Sequence, residues 1–471
     1  MQTICKASAI VAVFAALAAC GQRGALYLPT VPPLPEPVAA PQTGPLKNTP
    51  AVSPLKPPAP PSSSKSVPLT TLARQFGTPL YVYSRAALTC AYQAYAQACA
   101  GHNAKVYYAV KANSNLAVLD VFAKLGAGFD IVSGGELARV LKVGADPEKI
   151  VFSGVGKSVS EMQSALNAGV KCFNIESLPE LHRLHEIAAN TGKTARVSLR
   201  VNPDVDAKTH AYISTGLKSN KFGIAFDEAR AAYRTAASME SLEIIGIDCH
   251  IGSQITDIAP YLDALDKMLE LIESIEADGI KISHLDMGGG LGICYDAETP
   301  PAISTFVHTL LSHLAKRGHG HREILFEPGR SLVGNAGILL TKVEYLKPGA
   351  AKNFAIVDAG MNDLARPAMY QAYHDLIPVL QHRDNTPQAL YDVVGPVCES
   401  GDWLGRDRTL ALKSGDLLAA RSAGAYSFAM SSNYNTRPRA AEVMVAGEHA
   451  YLVRARETVE ELFAAEMRLP D

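Results

Sequence analysis

Lys111 is the residue whose type and position most directly predict chemistry. It lies in the segment YYAVKANSN (107–115), where apolar residues come immediately before the lysine. We expect this lysine to end a buried strand, and withdrawal from water lowers the pKa of an ammonium group. A lysine that forms a Schiff base needs such a lowered pKa. The alternative is a lysine that only extends its ammonium group from a strand end into solvent.

Two further segments predict a phosphate site with a carboxylate beside it. They are MGGGLG (287–292), with Gly288, Gly289 and Gly290, and EPGR (327–330), with Glu327, Pro328, Gly329 and Arg330. Consecutive glycines let backbone N–H groups approach a phosphate closely, although a tight strand-to-helix turn would also use them. A carboxylate such as Glu327 can keep the nitrogen of a pyridine ring protonated. Its alternative role is an ion pair with Arg330 or a lysine.

The segment HIGSQI (250–255) adds an aromatic ring and a hydroxyl group. The flat imidazole of His250 can stack on the face of a cofactor ring, and Ser253 can donate a hydrogen bond to a phosphate. The alternative for a single histidine is a polar residue packed in the interior. No one of these segments is specific by itself.

The elements that must position these residues form a repeating pattern. Short apolar runs alternate with helix-length segments, as in parallel β/α units, and eight such runs are enough to close a barrel. The predicted strands are 105–111, 128–132, 150–153, 171–175, 195–201, 243–250, 282–287 and 323–327. Polar residues follow at the strand ends, at Lys111, Asp130, Ser153, Glu176, Arg200, His250, the glycines after Met287, and Glu327. Active sites of such barrels are built at that rim.

The chain after residue 336 predicts a second domain of strands. The predicted fold is α/β: a (β/α)8 TIM barrel (101–336) followed by a C-terminal antiparallel β-barrel or sandwich (337–471), to which residues 68–100 contribute a strand at 79–84. The expected C-terminal strands are 338–345, 353–357, 389–394, 416–421, 442–445 and 448–454. In the barrel we expect helices at 135–143, 160–168 with Ser158 as N-cap, and 178–189 with Pro179 near its start.

Composition excludes several other classes of protein. The 44 basic and 46 acidic residues give a formal charge of −2, so the sequence does not favour binding to nucleic acid or to an anionic surface. The eight cysteines form no CxxC pair, and therefore neither a metal site nor a disulfide framework is expected. The 48% of hydrophobic residues is enough for a large core.

The first 67 residues differ from the rest of the chain. Residues 1–20 look like a lipoprotein-type signal, because Lys6 precedes the apolar run 7–19 and Cys20. Residues 21–67 form a Pro-rich linker, and 20–29 resemble the start of small outer-membrane lipoproteins that assist lipopolysaccharide assembly. We hypothesise that a lipoprotein reading frame is fused to, or was mistakenly translated with, a cytoplasmic enzyme. Membrane attachment through Cys20 is expected only if the signal is used.

In this order, YYAVKANSN, HIGSQI, MGGGLG and EPGR resemble the fold-type III pyridoxal-phosphate decarboxylases, which have alanine-racemase-like barrels. The resemblance covers residues 68–471. It implies pyridoxal 5'-phosphate as cofactor, with Lys111 as the Schiff-base lysine. The implied cofactor-binding residues are Lys111, His250, Ser253, Gly288, Gly289, Gly290, Glu327, Pro328, Gly329, Arg330 and Tyr426.

Three later segments resemble the diaminopimelate decarboxylases within that family. They are GMNDLARPAMY (360–370), GPVCESGD (395–402) and GAY (424–426). The implied substrate, meso-diaminopimelate, has an amine and a carboxylate at each end, and its decarboxylation gives L-lysine and CO2. Arg330 and Arg366 can bind the distal carboxylate and Glu399 the distal ammonium group. By resemblance, Tyr370 and Tyr426 also contact the substrate.

Cys398 lies in the segment CESGD, and the resemblance implies that it is the catalytic proton donor, which returns a proton to Cα. In relatives, these C-terminal residues complete the site of the neighbouring subunit, so a homodimer with shared active sites is implied. The alternative for one cysteine is a buried, inert thiol.

Other functions share part of this pattern. Ornithine and arginine decarboxylases share the barrel segments but need no site for a distal carboxylate, whereas a carboxynorspermidine-type decarboxylase does need one. A catalytically silent regulator that binds pyridoxal phosphate is a further alternative, although Lys111, Glu327 and Cys398 are all present. A lipid-tethered envelope scaffold would rest on the N-terminal segment alone.

Overall fold

The computed structural model describes residues 67–206, 215, 220–382 and 386–470. The predicted signal segment and all but the last residue of the predicted linker lie outside these ranges. Within them, no helix combines the length and the apolar composition needed to cross a bilayer.

Eight parallel strands close into a barrel, as predicted. Each strand pairs with its neighbours in the order β2-β3-β4-β5-β6-β8-β9-β10, and β10 pairs with β2 to complete the ring. The strands are β2 (Ala104–Ala109), β3 (Gly128–Ile131), β4 (Ile150–Phe152), β5 (Cys172–Ile175), β6 (Ala195–Asn202), β8 (Leu242–Asp248), β9 (His284–Asp286) and β10 (Glu323–Phe326). The short strand β7 (Ile224–Ala225) pairs with the end of β6.

Helices cover the outside of the barrel. They are α2 (Arg85–Cys99), α3 (Leu116–Lys124), α4 (Gly134–Lys142), α5 (Val159–Ala168), α6 (Leu178–Asn190), α7 (Phe226–Ala237), α8 (Ala259–Ala277), α9 (Ile303–Lys316) and α10 (Arg330–Val333). Serine side chains set where four of them begin, since Ser84, Ser133, Ser158 and Ser177 each accept a hydrogen bond from a backbone N–H of the first turn. The predicted N-cap Ser158 is confirmed, and it forms a capping box with Glu161.

The second sheet is mixed, so the prediction of an antiparallel domain was partly wrong. Two pairs are parallel, β1 with β17 and β12 with β14, because in each case a long connection separates the two strands. The strands are β1 (Leu80–Ser84), β11 (Gly337–Lys347), β12 (Asn353–Val357), β13 (Leu376–Pro378), β14 (Ala389–Val394), β15 (Trp403–Leu410), β16 (Leu417–Ala420), β17 (Ala441–Ala446) and β18 (His449–Arg454). Three helices accompany them: α1 (Leu69–Phe76), α11 (Arg366–Tyr370) and α12 (Val459–Leu462).

Strand β1 is buried on both faces and fixes the second sheet against the barrel. Leu80 and Val82 pack in one apolar cluster, and Tyr81 and Tyr83 pack in the other, larger one. The hydroxyl of Tyr81 donates a 2.6 Å hydrogen bond to the carbonyl of Asp363, just before α11. Strand β1 therefore holds the segment that leads to Arg366.

A loop of the second domain is packed directly on the barrel rim. A Cβ atom at Gly424 would lie 1.8 Å from the carbonyl oxygen of Val333, so only glycine fits there. Two residues further on, the backbone N–H of Tyr426 donates a 2.8 Å hydrogen bond to the carbonyl of Ala112. This contact places Tyr426 beside the turn that carries Lys111.

Candidate active site

Lys111 follows the end of its strand, whereas the sequence predicted that it would be the last residue of that strand. Strand β2 ends at Ala109, and Lys111 occupies a 3-10 turn (Val110–Ala112) above it. Its ammonium nitrogen is 2.5 Å from Oδ2 of Asp130, a fully buried carboxylate on β3. Burial lowers the pKa of Lys111, but the charges of Asp130 and Glu327 outweigh burial and raise the pKa above its usual value. The predicted lowering of this pKa was therefore wrong.

Three buried carboxylates lie together next to Lys111. Asp248 and Asp286 are the last residues of β8 and β9, and Glu327 follows β10; each has an oxygen within 4.8 Å of the others. Burial, the largest cause, and the negative charges of Asp130 and Asp286 raise the pKa of Glu327 well above its usual range. Burial likewise raises the pKa of Asp286 to about 7. Burial and their mutual negative charges therefore favour the protonated forms of both groups.

Arg200 balances part of this negative charge. Its Nη1 donates a 2.9 Å hydrogen bond to Glu176, and its Nε is 4.0 Å from Asp248. Burial opposes the charge of Arg200, yet Glu176 and Asp248 raise its pKa. The predicted rim residues Glu176 and Arg200 thus form a buried ion pair.

The glycine turn after β9 packs tightly against the turn after β10. A Cβ atom at Gly289 would lie 2.1 Å from the carbonyl oxygen of Glu327, and one at Gly290 would lie 2.3 Å from that of Gly252. The backbone N–H of Gly288 donates to Asp286, and its carbonyl accepts from Glu327. Any side chain here would therefore push the two strand ends apart.

His250 stands beside the glycine turn in its neutral form. Its Nδ1 accepts a 3.2 Å hydrogen bond from the backbone N–H of Gly289. Burial, with the positive charges of Arg200 and Lys111, lowers the pKa of His250 well below its usual value. A neutral imidazole in this place offers a flat, uncharged face to a ring.

The residues around Lys111 fit pyridoxal phosphate. Oε1 of Glu327 is buried and has no hydrogen-bond partner among the described residues, so it can accept a hydrogen bond from a protonated pyridine nitrogen. The glycine turn, Ser253 and the positively charged Arg330 provide donors of the kind that a phosphate needs. None of the described residues forms an ion pair with Glu327, which was its alternative role.

A cavity of about 420 Å³ opens above Lys111, within the size range of small-molecule sites. Seven of its lining residues were predicted from the sequence: Lys111, His250, Ser253, Arg330, Arg366, Tyr370 and Tyr426. The sequence analysis missed Thr215, Phe222, Gln254, Tyr295, Glu298, Ala372, Tyr373 and Met430. The predicted residue Pro328 lies outside the lining, where its carbonyl accepts a 3.2 Å hydrogen bond from the backbone N–H of Ala109. Gly329 is packed against Ala109, Ala112 and the Tyr426 hydroxyl.

Two buried arginines place positive charge at one end of the cavity. Arg330 donates 2.6 Å and 3.0 Å hydrogen bonds to the hydroxyl groups of Tyr295 and Ser253. Arg366, at the start of α11, lies 4.5 Å from the centre of the Tyr295 ring. Within the described part of the chain, no carboxylate forms an ion pair with Arg366, although its charge helps to lower the pKa of Glu298, another residue of the lining. Burial lowers the pKa of Arg366. This end of the cavity is therefore suited to an anion.

Cys398 and Glu399 are not brought into the cavity of their own chain. Both are exposed, in the loop between β14 and β15, and the backbone N–H of Cys398 donates to Asn435. The alternative of a buried, inert thiol at Cys398 is therefore wrong.

Two other residues of the site, Asp248 and Asp286, were not predicted to have a role. The signal that could have identified them is an aspartate at the last position of an otherwise apolar strand, in GIDCH (246–250) and HLDMGGG (284–290). Both side chains are almost completely buried.

Comparison with known proteins places these features in one family. The family described as "Pyridoxal-dependent decarboxylase, pyridoxal binding domain" matches residues 85–334. The diaminopimelate decarboxylase of Vibrio cholerae serotype O1 is 58% identical over 408 residues, covering 87% of this chain and 97% of the relative. The diaminopimelate decarboxylase of Pseudomonas aeruginosa is 59% identical over 408 residues, covering 86% and 97%.

Solved structures agree with the sequence comparison. The crystal structure of diaminopimelate decarboxylase from Helicobacter pylori complexed with L-lysine superposes with a TM-score of 0.81 at 40% identity. The matched region covers 84% of this chain and 99% of the Helicobacter pylori chain. The similarity therefore spans both the barrel and the second domain.

Proposed function

The chain belongs to the diaminopimelate decarboxylases, a family of pyridoxal-dependent decarboxylases, and from this we propose that its cavity converts meso-diaminopimelate to L-lysine and CO2. One observation of the site supports the proposal most strongly. Lys111 shares a single cavity with Arg330 and Arg366, and Arg366 has no ion-pair partner among the described residues. An amino acid with a second carboxylate supplies that partner.

Lys111, Glu327 and His250 are the residues that we propose to hold the cofactor. When bound, pyridoxal phosphate supplies the electron sink that accepts the electron pair left on Cα by the departing CO2. Lys111 provides the amine for its attachment, and Asp130, at 2.5 Å, orients that amine. Glu327 would accept a hydrogen bond from the protonated ring nitrogen, and His250 would stack on the ring.

The phosphate group is assigned to the turns at the ends of β9 and β10. Ser253 and the backbone of the two turns offer neutral donors, while Arg330 adds positive charge. The residues of these turns are Gly288, Gly289, Gly290, Glu327, Pro328, Gly329 and Arg330. This assignment follows the general tendency of such barrels to bind phosphate at their last two strands.

We assign the distal end of the substrate to the arginine side of the cavity. The planar guanidinium groups of Arg330 and Arg366 can each bind a carboxylate through two hydrogen bonds. Tyr370 and Tyr426 line the same region. L-Lysine, bound in the crystal structure of the Helicobacter pylori relative, retains that distal carboxylate after CO2 has left the other end.

We infer that two chains share their active sites in a homodimer. Cys398 and Glu399 are exposed and do not line the cavity of their own chain. On a partner subunit, Cys398 would return a proton to Cα and Glu399 would bind the distal ammonium group. The exposed position of this pair supports an arrangement in which each site is completed by the other subunit.

Subunit mixing tests the shared site. Homodimers of Lys111→Ala and of Cys398→Ala are each expected to be nearly inactive. After mixing, half of the dimers contain one subunit of each kind, and one of their two sites is intact, so activity should recover to about one quarter of wild type. Mixing two Lys111→Ala preparations is the control. Absence of recovery, when mass measurement shows mixed dimers, would contradict the shared site.

The location and the domain boundaries are also proposals. We propose a cytoplasmic enzyme with a β-domain contribution from 68–100, a barrel at 101–336 and a C-terminal domain at 337–471. A diacylated Cys20, detected by mass spectrometry of the native N-terminus, would contradict this location.

Substrate profiling tests the proposed reaction. We expect CO2 release from meso-diaminopimelate, at a kcat/KM at least about 100-fold above that for ornithine or arginine, because neither offers a distal carboxylate to the arginines. Carboxynorspermidine, assayed in parallel, tests whether the enzyme is instead a carboxynorspermidine-type decarboxylase. A preference for ornithine or arginine would contradict the assignment.

A further inference from the structure

His374 lies directly behind Arg366 and lines no part of the cavity. It is completely buried, four residues after the end of α11, and its Nε2 is 2.8 Å from Nη1 of Arg366. Its other ring nitrogen, Nδ1, is 2.8 Å from the carbonyl oxygen of Arg421. The imidazole therefore bridges the arginine to the backbone of the second sheet.

These two contacts determine where the proton of the ring lies. A carbonyl oxygen can only accept a hydrogen bond, so Nδ1 must carry the hydrogen. Nε2 then has a free lone pair and accepts from the guanidinium group of Arg366. Burial, with the positive charges of Arg366, Arg330 and Arg408, lowers the pKa of His374 to about 3. The ring is thus neutral throughout the range in which enzymes work.

A neutral acceptor has a different effect on Arg366 from that of a carboxylate. A carboxylate at this position would form an ion pair with the guanidinium group and neutralise the positive charge that faces the cavity. The imidazole satisfies one N–H group and leaves the whole charge in place. Arg330 is held in the same way, since its hydrogen-bond partners among the described residues are the neutral hydroxyl groups of Tyr295 and Ser253.

Tyr295 connects the two arginines and the histidine. Its ring packs edge-on against His374, with centroids 5.3 Å apart, while the guanidinium of Arg366 lies over its face. Its hydroxyl accepts the hydrogen bond from Arg330. The orientation of Arg366 is therefore fixed from two sides by groups without charge.

We propose that His374 is a positioning residue that determines carboxylate specificity: its neutral imidazole directs Arg366 into the cavity and preserves the positive charge for the distal carboxylate of the substrate. The inference rests on the proposed function, because that function supplies the carboxylate. It assigns no chemical step to His374. It predicts that changes at His374 alter the binding of ligands with a distal carboxylate and spare ligands without one.

Two ligands and three variants of the holoenzyme test this role. L-Lysine has the distal carboxylate, and 1,5-diaminopentane has the same chain and amines without it. His374→Leu removes the acceptor, and we expect the affinity for L-lysine to fall about ten-fold to one hundred-fold, as for loss of a hydrogen bond to a charged group. The affinity for 1,5-diaminopentane should change less than about two-fold. Equilibrium titration measures both affinities without turnover.

The other two variants test whether Arg366 needs any hydrogen-bond acceptor at this position or specifically an uncharged one. His374→Gln offers a neutral oxygen and should restore most of the L-lysine affinity. His374→Glu also offers an oxygen but adds a negative charge, so it should bind L-lysine no better than His374→Leu. For meso-diaminopimelate, KM should rise in the Leu and Glu variants more than kcat falls. Cofactor content and Tm identify any variant that has not folded.

An equal loss of affinity for both ligands in folded His374→Leu would overturn the proposal. Full affinity for L-lysine in His374→Glu would also overturn it. These outcomes differ from failure of the proposed function. That failure would appear in the wild-type enzyme, as an absence of CO2 release from meso-diaminopimelate, whereas the ligand comparison does not depend on turnover.

Discussion

Replacement of Lys111 by alanine is expected to lower kcat by about 10⁴-fold or more, the scale seen when a residue that acts covalently is removed. Lys111 is the described lysine that faces the cavity, and its ammonium group is 2.5 Å from the buried Asp130. Alanine removes the amine that we assign to cofactor attachment. Borohydride reduction followed by peptide mass spectrometry should label Lys111 in the wild-type protein and no lysine in the variant.

A lysine on the strand that precedes Lys111 provides the control. Lys105 lies near the opposite end of β2 and is exposed. Lys105→Ala also removes one lysine charge but leaves the cavity unchanged, so the activity of this variant should stay within about two-fold of wild type. Robust decarboxylation by Lys111→Ala, or a borohydride label on another lysine, would contradict the assignment of Lys111.

Glu327→Gln should lower kcat by about 10²-fold to 10³-fold, the usual effect of removing one preorganised electrostatic contact. Glutamine keeps the shape of the side chain but cannot carry the negative charge that holds a proton on a ring nitrogen. The variant should still bind the cofactor through Lys111, and the measurement is kcat at saturating cofactor.

Glu323 is the matched control for Glu327. Glu323 is the first residue of β10, whereas Glu327 follows the last residue of that strand. Glu323 forms a 2.9 Å ion pair with Lys171, at the end of the barrel away from the cavity. Glu323→Gln should cost about 1 kcal/mol of stability at most and leave kcat within about two-fold of wild type. Equal activity of Glu327→Gln and Glu323→Gln would exclude Glu327 from the electron-withdrawing role.

The barrel could be predicted because the sequence signal repeats. Each strand is a short apolar run followed by a polar residue and a helix, and eight repeats leave one closed arrangement. The polar residues at the strand ends were therefore identified before their distances were known. The resemblance then supplied roles for residues of the second domain, such as Arg366 and Tyr370, which spacing alone would not give.

Other features depend on contacts between distant parts of the chain. The lowered pKa predicted for Lys111 considered burial alone, whereas Asp130 on the next strand reverses the direction. The parallel pairing of β1 with β17 joins residues more than 300 positions apart and has no local signal. The contact of His374 with Arg366 depends on the hydrogen bond that holds the His374 ring to the carbonyl of Arg421, a residue 47 positions further along the chain.

CO2 release from meso-diaminopimelate by the full chain tests the central claim most directly. The account predicts release with an equal amount of L-lysine formed, dependent on added pyridoxal phosphate once the protein has been stripped of cofactor. Ornithine and arginine, assayed in parallel, should give almost no CO2. Binding of the cofactor without CO2 release from any of these substrates would contradict the account and favour a silent regulator.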